Sequence, residues 1–237
     1  MEYQILQFDT KLFGFKVAKI LPSKLLLTKL KSILDKLRAQ QIRLVYWQAD
    51  GANKLSQKAI RNFQGLLSCK PVTYAINLNK SMASQTSPEV KIYRSKKPTP
   101  EMQQLAVAIS TLSRFGIDPK MPKKLMQKMY QTWLKNSVNN IAADQVLVIK
   151  NKHKVAGMIT LSTKKKRGDI RLLAVASSCR GKKFGTKLVQ AAKNYFIKKG
   201  FSKLQVVTQK SNIPACHLYK KCGFSIESID NFYHFWL

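Results

Sequence analysis

Apolar residues in the first 80 positions switch between strand-like and helix-like spacing. The short apolar runs Val17–Leu21, Leu44–Trp47 and Val72–Leu78 each predict a strand. After the first run, a helix is predicted from Leu25, because apolar residues recur at helical spacing: Leu26, Leu30, Ile33, Leu34 and Leu37. Asn53–Leu67 predicts a second helix. The order strand, helix, strand, helix, strand favours a small α/β layer.

The pattern from residue 90 onward predicts a longer series of strands with helices between them. Strands are predicted at Val90–Arg94, Val146–Lys150, Val155–Ser162, Asp169–Val175 and Leu204–Thr208. Helices are predicted at Pro100–Leu112, Lys123–Val138, Phe184–Lys199 and Pro214–Cys222. The tail, Ser225–Leu237, predicts a strand, a turn and a second strand.

A polar segment of small residues separates these two parts. It runs from Ser81 to Glu89 and includes three serines and Pro88. We therefore predict a small N-terminal α/β domain at residues 1–80, a linker at 81–89 and a larger domain at 90–237.

Composition narrows the class of protein. Hydrophobic residues make up 45% of the chain, enough for a packed core. No apolar run reaches the roughly 18 residues needed to span a bilayer. The start, Met1-Glu2-Tyr3, lacks a signal-peptide pattern, so we expect a cytoplasmic protein. The four cysteines and three histidines are too scattered for a zinc site, so we expect reduced thiols and no metal.

The net charge of +32 is extreme and is spread along the chain. The longest basic run is Lys164–Arg167. Such a charge favours anionic partners. No helix-turn-helix or ribonucleoprotein motif accompanies it, so we expect no specific nucleic-acid partner. Solvated lysine-rich faces would explain the charge as well.

One loop has the features of an anion site. Arg180–Thr186 lies between a predicted strand and a predicted helix, where unpaired backbone N–H groups and the helix dipole attract anions. Gly181 and Gly185 allow close approach of the backbone, and Arg180, Lys182 and Lys183 add charge. The loop is neither a Walker A motif nor a dinucleotide fingerprint. A basic surface loop with a glycine turn fits it equally.

A second motif makes the loop more specific. Asn212–Phe224 follows the pattern N-x-x-A-x-x-L-Y-x-x-x-G-F. With Leu173-Ala174-Val175 before the loop, it resembles the GCN5-related N-acetyltransferase (GNAT) superfamily. The resemblance implies an α/β fold whose central mixed sheet is splayed between two parallel strands, preceded here by a smaller, truncated GNAT-like α/β domain. It also implies acetyl-coenzyme A as cofactor.

The resemblance assigns roles to individual residues. The residues expected to bind the cofactor are Leu173, Ala174, Val175, Arg180, Gly181, Lys182, Lys183, Phe184, Gly185, Thr186, Asn212 and Tyr219. The family loop R/Q-x-x-G-x-G/A has a glycine where this chain has Lys183, so we expect weaker or altered cofactor binding. Tyr219 would be the general acid and Asn212 would hold the pantetheine arm or a water. A core tyrosine and a helix N-cap are the structural alternatives. No residue stands out as a general base.

Further matches imply the acceptor. Phe8–Gly14, Ser113-Arg114-Phe115 and Val207-Thr208-Gln209 are similar to bacterial TDP-fucosamine acetyltransferases. That likeness implies a nucleotide-linked 4-amino-4,6-dideoxy sugar used for bacterial surface polysaccharide. Arg114 would pair with a phosphate and Phe115 would stack on a base, with Ser113 beside them. A core-packed loop with a solvated arginine is the alternative.

Two other functions remain open. A protein- or ribosome-associated acetyltransferase would account for the charge of +32. A non-catalytic basic module that binds acyl-coenzyme A would account for Lys183. The sequence leaves the oligomeric state open, a homodimer included.

Overall fold

A computed structural model of the chain describes residues 1–53, 55 and 60–237. The strands are β1 (Tyr3–Ile5), β2 (Val17–Ile20), β3 (Leu44–Asp50), β4 (Gly65–Cys69), β5 (Pro71–Asn77), β6 (Val90–Ile92), β7 (Gln145–Asn151), β8 (Lys154–Lys164), β9 (Arg167–Val175), β10 (Lys203–Gln209) and β11 (Ser225–Trp236). The α-helices are α1 (Gln7–Phe13), α2 (Leu27–Ala39), α3 (Pro100–Thr111), α4 (Lys123–Val138), α5 (Phe184–Lys198) and α6 (Ile213–Lys221). These elements confirm the predicted α/β class.

The strands form one mixed sheet in the order β1-β2-β3-β11-β5-β10-β9-β8-β7-β6, with β4 also paired to β11. The pairs β2–β3 and β9–β10 are parallel, whereas neighbours such as β8–β9 and β10–β5 are antiparallel. Helices cover both faces. Residues of α1, α3 and α4 share one hydrophobic core, and residues of α5 and α6 share another. A mixed sheet is what the family resemblance implies.

Strand β11 joins the early and late parts of the chain. Its first residues, Ser225–Ile229, pair with β5, and its last, Asp230–Trp236, pair with β3. Strand β5 lies between β10 and β11, so residues before 80 and after 200 alternate across the sheet. The division at residues 81–89 into two domains stays a prediction.

The prediction of a strand, a turn and a strand for Ser225–Leu237 is wrong, because β11 is one strand over Ser225–Trp236. Its register with β5 shifts between Ile226 and Ser228, which is a β-bulge. The polar residues around this bulge gave the turn-like pattern.

The predicted helix at Asn53–Leu67 is also wrong at its end. Ile60 and Arg61 have helical backbone, but Gly65–Cys69 form β4. Pairing of β4 with β11, including Leu67 with Tyr233, overrides the local helical spacing. Residues 54 and 56–59 of that prediction lie outside the described residues.

Two early elements were not predicted. Tyr3–Ile5 forms β1, and the segment after it folds as helix α1. Gly14 ends α1 in a left-handed conformation, with φ of 77°.

Among the described residues, none of the helices has both the length and the apolar character required to cross a bilayer.

Candidate functional site

Strands β9 and β10 separate after a short paired stretch. Gly168, Asp169 and Ile170 pair in parallel with Leu204, Gln205 and Val206. Farther along, Leu172–Val175 pair with β8 on the other side, and Thr208 and Gln209 pair with β5. Because the two strands splay, a gap opens between their facing edges. This confirms the splayed sheet that the family resemblance implies.

A β-bulge in β9 shapes the gap. The β8–β9 register passes from Leu161–Ile170 to Thr160–Leu172, so Arg171 is an extra residue in β9. A bulge bends a strand and turns its backbone groups away from the ladder. Leu173, Ala174 and Val175, the predicted pantetheine contacts, follow directly and form the edge of the gap.

The basic loop leads from β9 into helix α5. Gly181 and Lys183 have left-handed backbone, with φ of 80° and 60°. Lys183 is the N-cap of α5 and makes no side-chain cap hydrogen bond. The backbone N–H groups of the first turn, at Phe184, Gly185 and Thr186, therefore remain open to an anion. Arg180, Gly181, Lys182 and Lys183 are all exposed, so the loop has the form of a phosphate site.

Replacing Lys183 with glycine tests this departure from the family loop. We expect Lys183→Gly to tighten acetyl-coenzyme A binding or leave it unchanged, because the side chain no longer stands near the backbone amides. Stability should not fall, because a left-handed non-glycine residue costs roughly 1 kcal/mol. Isothermal titration calorimetry measures the affinity. The matched control, Lys182→Ala, removes one charge from the same loop without changing a left-handed residue. A large loss with Lys183→Gly alone would show that the lysine itself binds phosphate.

Gly185 allows the loop and the Asn212–Phe224 motif to pack closely together. A Cβ at Gly185 would come within 3.1 Å of Cδ2 of Leu218, on helix α6. The absence of a side chain therefore allows the start of α5 to pack closely against α6. In this way the loop and the Asn212–Phe224 motif are held beside each other at the gap.

Tyr219 lies on α6 and is buried. Its ring centroid is 5.9 Å from those of Tyr74 and Phe224. Burial raises the pKa of Tyr219 well above its ordinary value, so the phenol keeps its proton at neutral pH. This environment suits both core packing and proton donation. The general-acid role stays a prediction.

Asn212 has the capping role that was its structural alternative. Its side-chain oxygen accepts a hydrogen bond from the backbone N–H of Ala215, at 3.3 Å. Asn212 also lines a cavity beside the gap. Because the oxygen serves as the cap, the amide N–H₂ is the group that could contact a ligand. Its cofactor-binding role stays a prediction.

The cavity has a volume of about 720 Å³ and lies on the face covered by α3 and α4. Leu172, Thr208 and Asn212 line it next to the gap. Tyr130 and Trp133 of α4 line its helical side. The N-terminal part of the chain contributes Gln48, Cys69 and Thr73. The cavity therefore combines residues from distant parts of the sequence.

The Ser113-Arg114-Phe115 loop contributes unequally to this cavity. Ser113 and Arg114 line it, and the Arg114 guanidinium lies 4.4, 4.6 and 4.9 Å from the ring centroids of Phe115, Phe232 and Tyr46. Phe115 is 1% exposed and packs in the core. The predicted stacking of Phe115 on a base is therefore wrong, since its ring instead supports Arg114.

A buried network that sequence reasoning missed fixes this loop. His234 Nδ1 and Trp236 Nε1 both donate to Oδ2 of Asp118, at 2.6 and 2.9 Å. Burial lowers the pKa of His234 and would raise that of Asp118. The hydrogen bonds from His234, Trp236 and the backbone of Lys120, together with attraction to His234, outweigh burial and lower the Asp118 pKa. The partners are 116 and 118 positions away in sequence, so no local signal could have paired them.

The carboxylates lining the cavity are engaged with other side chains. Asp169 accepts from Nε2 of Gln205 at 3.0 Å, and Asp230 accepts from Nε2 of Gln48 at 2.7 Å. Glu227 pairs with Arg167 at 2.6 Å and with Lys203 at 2.5 Å. No cluster of three or more candidate metal ligands occurs in the described ranges 1–53, 55 and 60–237.

Comparison with known proteins finds similarity to one family over part of the chain. Residues 116–224 match the sequence profile of the acetyltransferase (GNAT) family. A streptothricin acetyltransferase of Escherichia coli is 35% identical over 79 residues, which is 33% of this chain and 45% of the relative. The spore coat polysaccharide biosynthesis protein SpsD of Bacillus subtilis is 28% identical over 136 residues, 56% of this chain and 46% of SpsD. The chain thus spans less than half the length of these curated relatives.

A solved structure supports the fold. A GCN5-related N-acetyltransferase from Sphaerobacter thermophilus superposes with a TM-score of 0.57 at 13% identity. The match covers 98% of this chain and 75% of that protein. At this identity the likeness shows the fold alone, and it agrees with the mixed sheet described above.

Proposed function

We propose that this chain, whose residues 116–224 match the acetyltransferase (GNAT) family, transfers an acetyl group from acetyl-coenzyme A to the amine of a nucleotide-linked 4-amino-4,6-dideoxy sugar. One observation carries the proposal. The gap between β9 and β10 joins a helix start with uncapped backbone N–H groups, on one face of the sheet, to a cavity of about 720 Å³ on the other. Donor and acceptor could therefore meet between the two strands.

The donor side fits a coenzyme. The first-turn N–H groups of α5, with Arg180 and Lys182 beside them, would hold a pyrophosphate. The open edge of Leu173–Val175 would pair with the pantetheine arm as an added strand. When bound, acetyl-coenzyme A supplies the activated thioester. Backbone N–H groups at this edge would then polarise its carbonyl.

Tyr219 would complete the transfer on the donor side. An amine nitrogen forms a bond to the acetyl carbon as the carbon–sulfur bond breaks. The phenol of Tyr219, which burial keeps protonated, gives a proton to the departing sulfur. The nitrogen loses a proton to water as the amide forms, and the tyrosinate regains its proton from water. With the cavity carboxylates engaged elsewhere, we infer that the amine is neutral on binding or loses its proton to water.

The acceptor side fits a polar small molecule. Arg114 lines the cavity and suits a phosphate. The names of the relatives add support, since one acetylates streptothricin and the other belongs to spore coat polysaccharide biosynthesis. We place the activity in the cytoplasm, in keeping with four cysteines that are all free thiols.

A thiol-release assay tests the proposed function. The chain is given acetyl-coenzyme A and a panel of nucleotide-linked amino sugars, polyamines and peptides. We expect turnover with a nucleotide amino sugar. Turnover with peptides alone would refute the sugar acceptor and favour a protein acetyltransferase. Absence of turnover although acetyl-coenzyme A still binds in calorimetry would refute the enzyme and favour the non-catalytic module, and absence of both would refute both functions.

A further inference from the structure

We propose that Lys19, Arg114, Lys164 and Lys165 form a binding site for a diphosphate group of the acceptor. This cation cluster draws on both sides of the predicted domain division. The proposal rests on the proposed function, because it assigns the cluster to the acceptor of that reaction. It names residues and a chemical group that neither the family match nor the relatives specify.

Lys19 and Arg114 converge on one face of the sheet. Lys19 on β2 pairs across the strands with Tyr46 of β3. The Arg114 guanidinium lies over the ring of that same Tyr46, 4.9 Å from its centroid. Nε of Arg114 is buried and has no hydrogen-bond partner among the described residues. The aromatic rings therefore orient a guanidinium that still has donors to offer.

The β8–β9 hairpin brings the other two cations. Lys164 and Lys165 line the cavity and are exposed. Lys165 and Lys166 form a tight turn in which both have left-handed backbone, with φ of 49° and 61°. This turn projects from strands that also carry Leu172 at the gap. Arg114, Lys164 and Lys165 therefore line the cavity that opens at the gap, and Lys19 lies beside them.

The four charges influence one another. Burial lowers the pKa of Lys19, and the positive charges of Arg114, Lys164 and Lys165 lower it further. Across residues 1–53, 55 and 60–237, none of these four side chains forms a salt bridge. Like charges gathered without salt bridges raise the energy of the empty site, so an anion is favoured there.

Nearby acids offset the charge of the cluster only in part, since Asp9 faces Arg114 and the other acids have different partners. Asp9, near Arg114, is buried, and burial raises its pKa although Arg114 opposes that shift. Asp230 accepts from Gln48, while Asp169 and Glu227 are paired with other basic residues. A diphosphate carries enough negative charge to meet several of these cations at once. An acceptor bearing one could place its amine toward Asn212 and the gap.

The hairpin supplies a closely matched pair of variants for the test. Lys165→Asn and Lys166→Asn each remove one charge from the same turn, and asparagine tolerates the left-handed backbone that both positions have. Lys165 lines the cavity, whereas Lys166 does not. Lys19→Gln tests the contribution of the N-terminal part. Thermal melting confirms that each variant is folded.

Isothermal titration calorimetry with thymidine diphosphate, inorganic pyrophosphate and coenzyme A gives the result. We expect Lys165→Asn and Lys19→Gln each to lower the affinity for thymidine diphosphate and for pyrophosphate by about tenfold, as for loss of a charge-assisted hydrogen bond. Lys166→Asn should change these two affinities by less than about twofold. Affinity for coenzyme A should stay within about twofold in all three, because its phosphates would bind at α5.

Three results would overturn the site. An equal loss of thymidine diphosphate and pyrophosphate affinity in Lys165→Asn and Lys166→Asn would show that a diffuse positive field, and no defined site, attracts the anion. A parallel loss of coenzyme A affinity would assign the cluster to the donor. Amino-sugar turnover whose KM is unchanged by Lys165→Asn and Lys19→Gln would refute this site while leaving the proposed function intact. Conversely, diphosphate binding sensitive to Lys165 but without acetyl transfer supports the site and refutes the proposed function.

Discussion

Tyr219→Phe should lower kcat for acetyl transfer by about 100-fold, as expected for loss of a general acid. The phenol is buried against Tyr74 and Phe224, and burial keeps it protonated. Phenylalanine retains the ring and its packing but has no proton to give. The measurement is steady-state turnover with acetyl-coenzyme A and the best acceptor of the panel, alongside a thermal melt that should barely move.

Tyr74→Phe is the matched control. Tyr74 is also buried, its ring centroid is 5.9 Å from that of Tyr219, and burial raises its pKa to about 12. Tyr74→Phe removes an equivalent phenol hydroxyl from the same hydrophobic core. The kcat should therefore change by less than about twofold if Tyr219 is the acid. A kcat for Tyr219→Phe equal to that of the unaltered chain would leave Tyr219 as a packing residue only.

Asp118→Ala should destabilise the chain by about 3 kcal/mol. The side chains of Asp118 and His234 are fully buried, and Asp118 holds both His234 and Trp236. Alanine would leave two buried donors without an acceptor. For a chain of this size the melting temperature should fall by roughly 10 °C. Chemical denaturation gives the free energy of unfolding directly.

Asp35→Ala is the control for Asp118→Ala, because it removes an exposed carboxylate that also has two partners. Asp35 also accepts from two basic side chains, Lys31 at 3.0 Å and Arg38 at 2.9 Å, but on an exposed helix surface. Surface ion pairs are screened by water and salt, so its removal should leave the melting temperature nearly unchanged. Equal effects of the two substitutions would contradict the importance of the buried network.

Regular elements with a strong period could be predicted from the sequence. Lys123–Val138 matches α4 at both ends, because its apolar spacing is sustained over several turns. The splay of β9 and β10 followed from the family resemblance and is confirmed by their short pairing. Gly223, in a left-handed conformation with φ of 84°, follows α6 as expected of a residue that ends a helix.

Features that depend on distant partners could not be predicted. Gly65–Cys69 is a strand because β11 pairs with it, and nothing in the local pattern indicates that partner. Phe115 is a core residue because the N-terminal part supplies the rings that surround it, including Phe13 and Tyr46. The proximity of Lys19 and Lys165, which are far apart in sequence, likewise arises only in the folded chain.

The path of β11 also bears on how the chain reaches its native state. Asp50 pairs with Asp230, and Thr73 pairs with Val207 and Ser228, so much of the sheet joins residues more than 100 positions apart. Closing such loops costs chain entropy before any contact compensates for it. High contact order of this kind slows folding and leaves strand edges open for longer. A fragment limited to residues 90–237 would lack the strand between β10 and β11 and would expose edges suited to self-association.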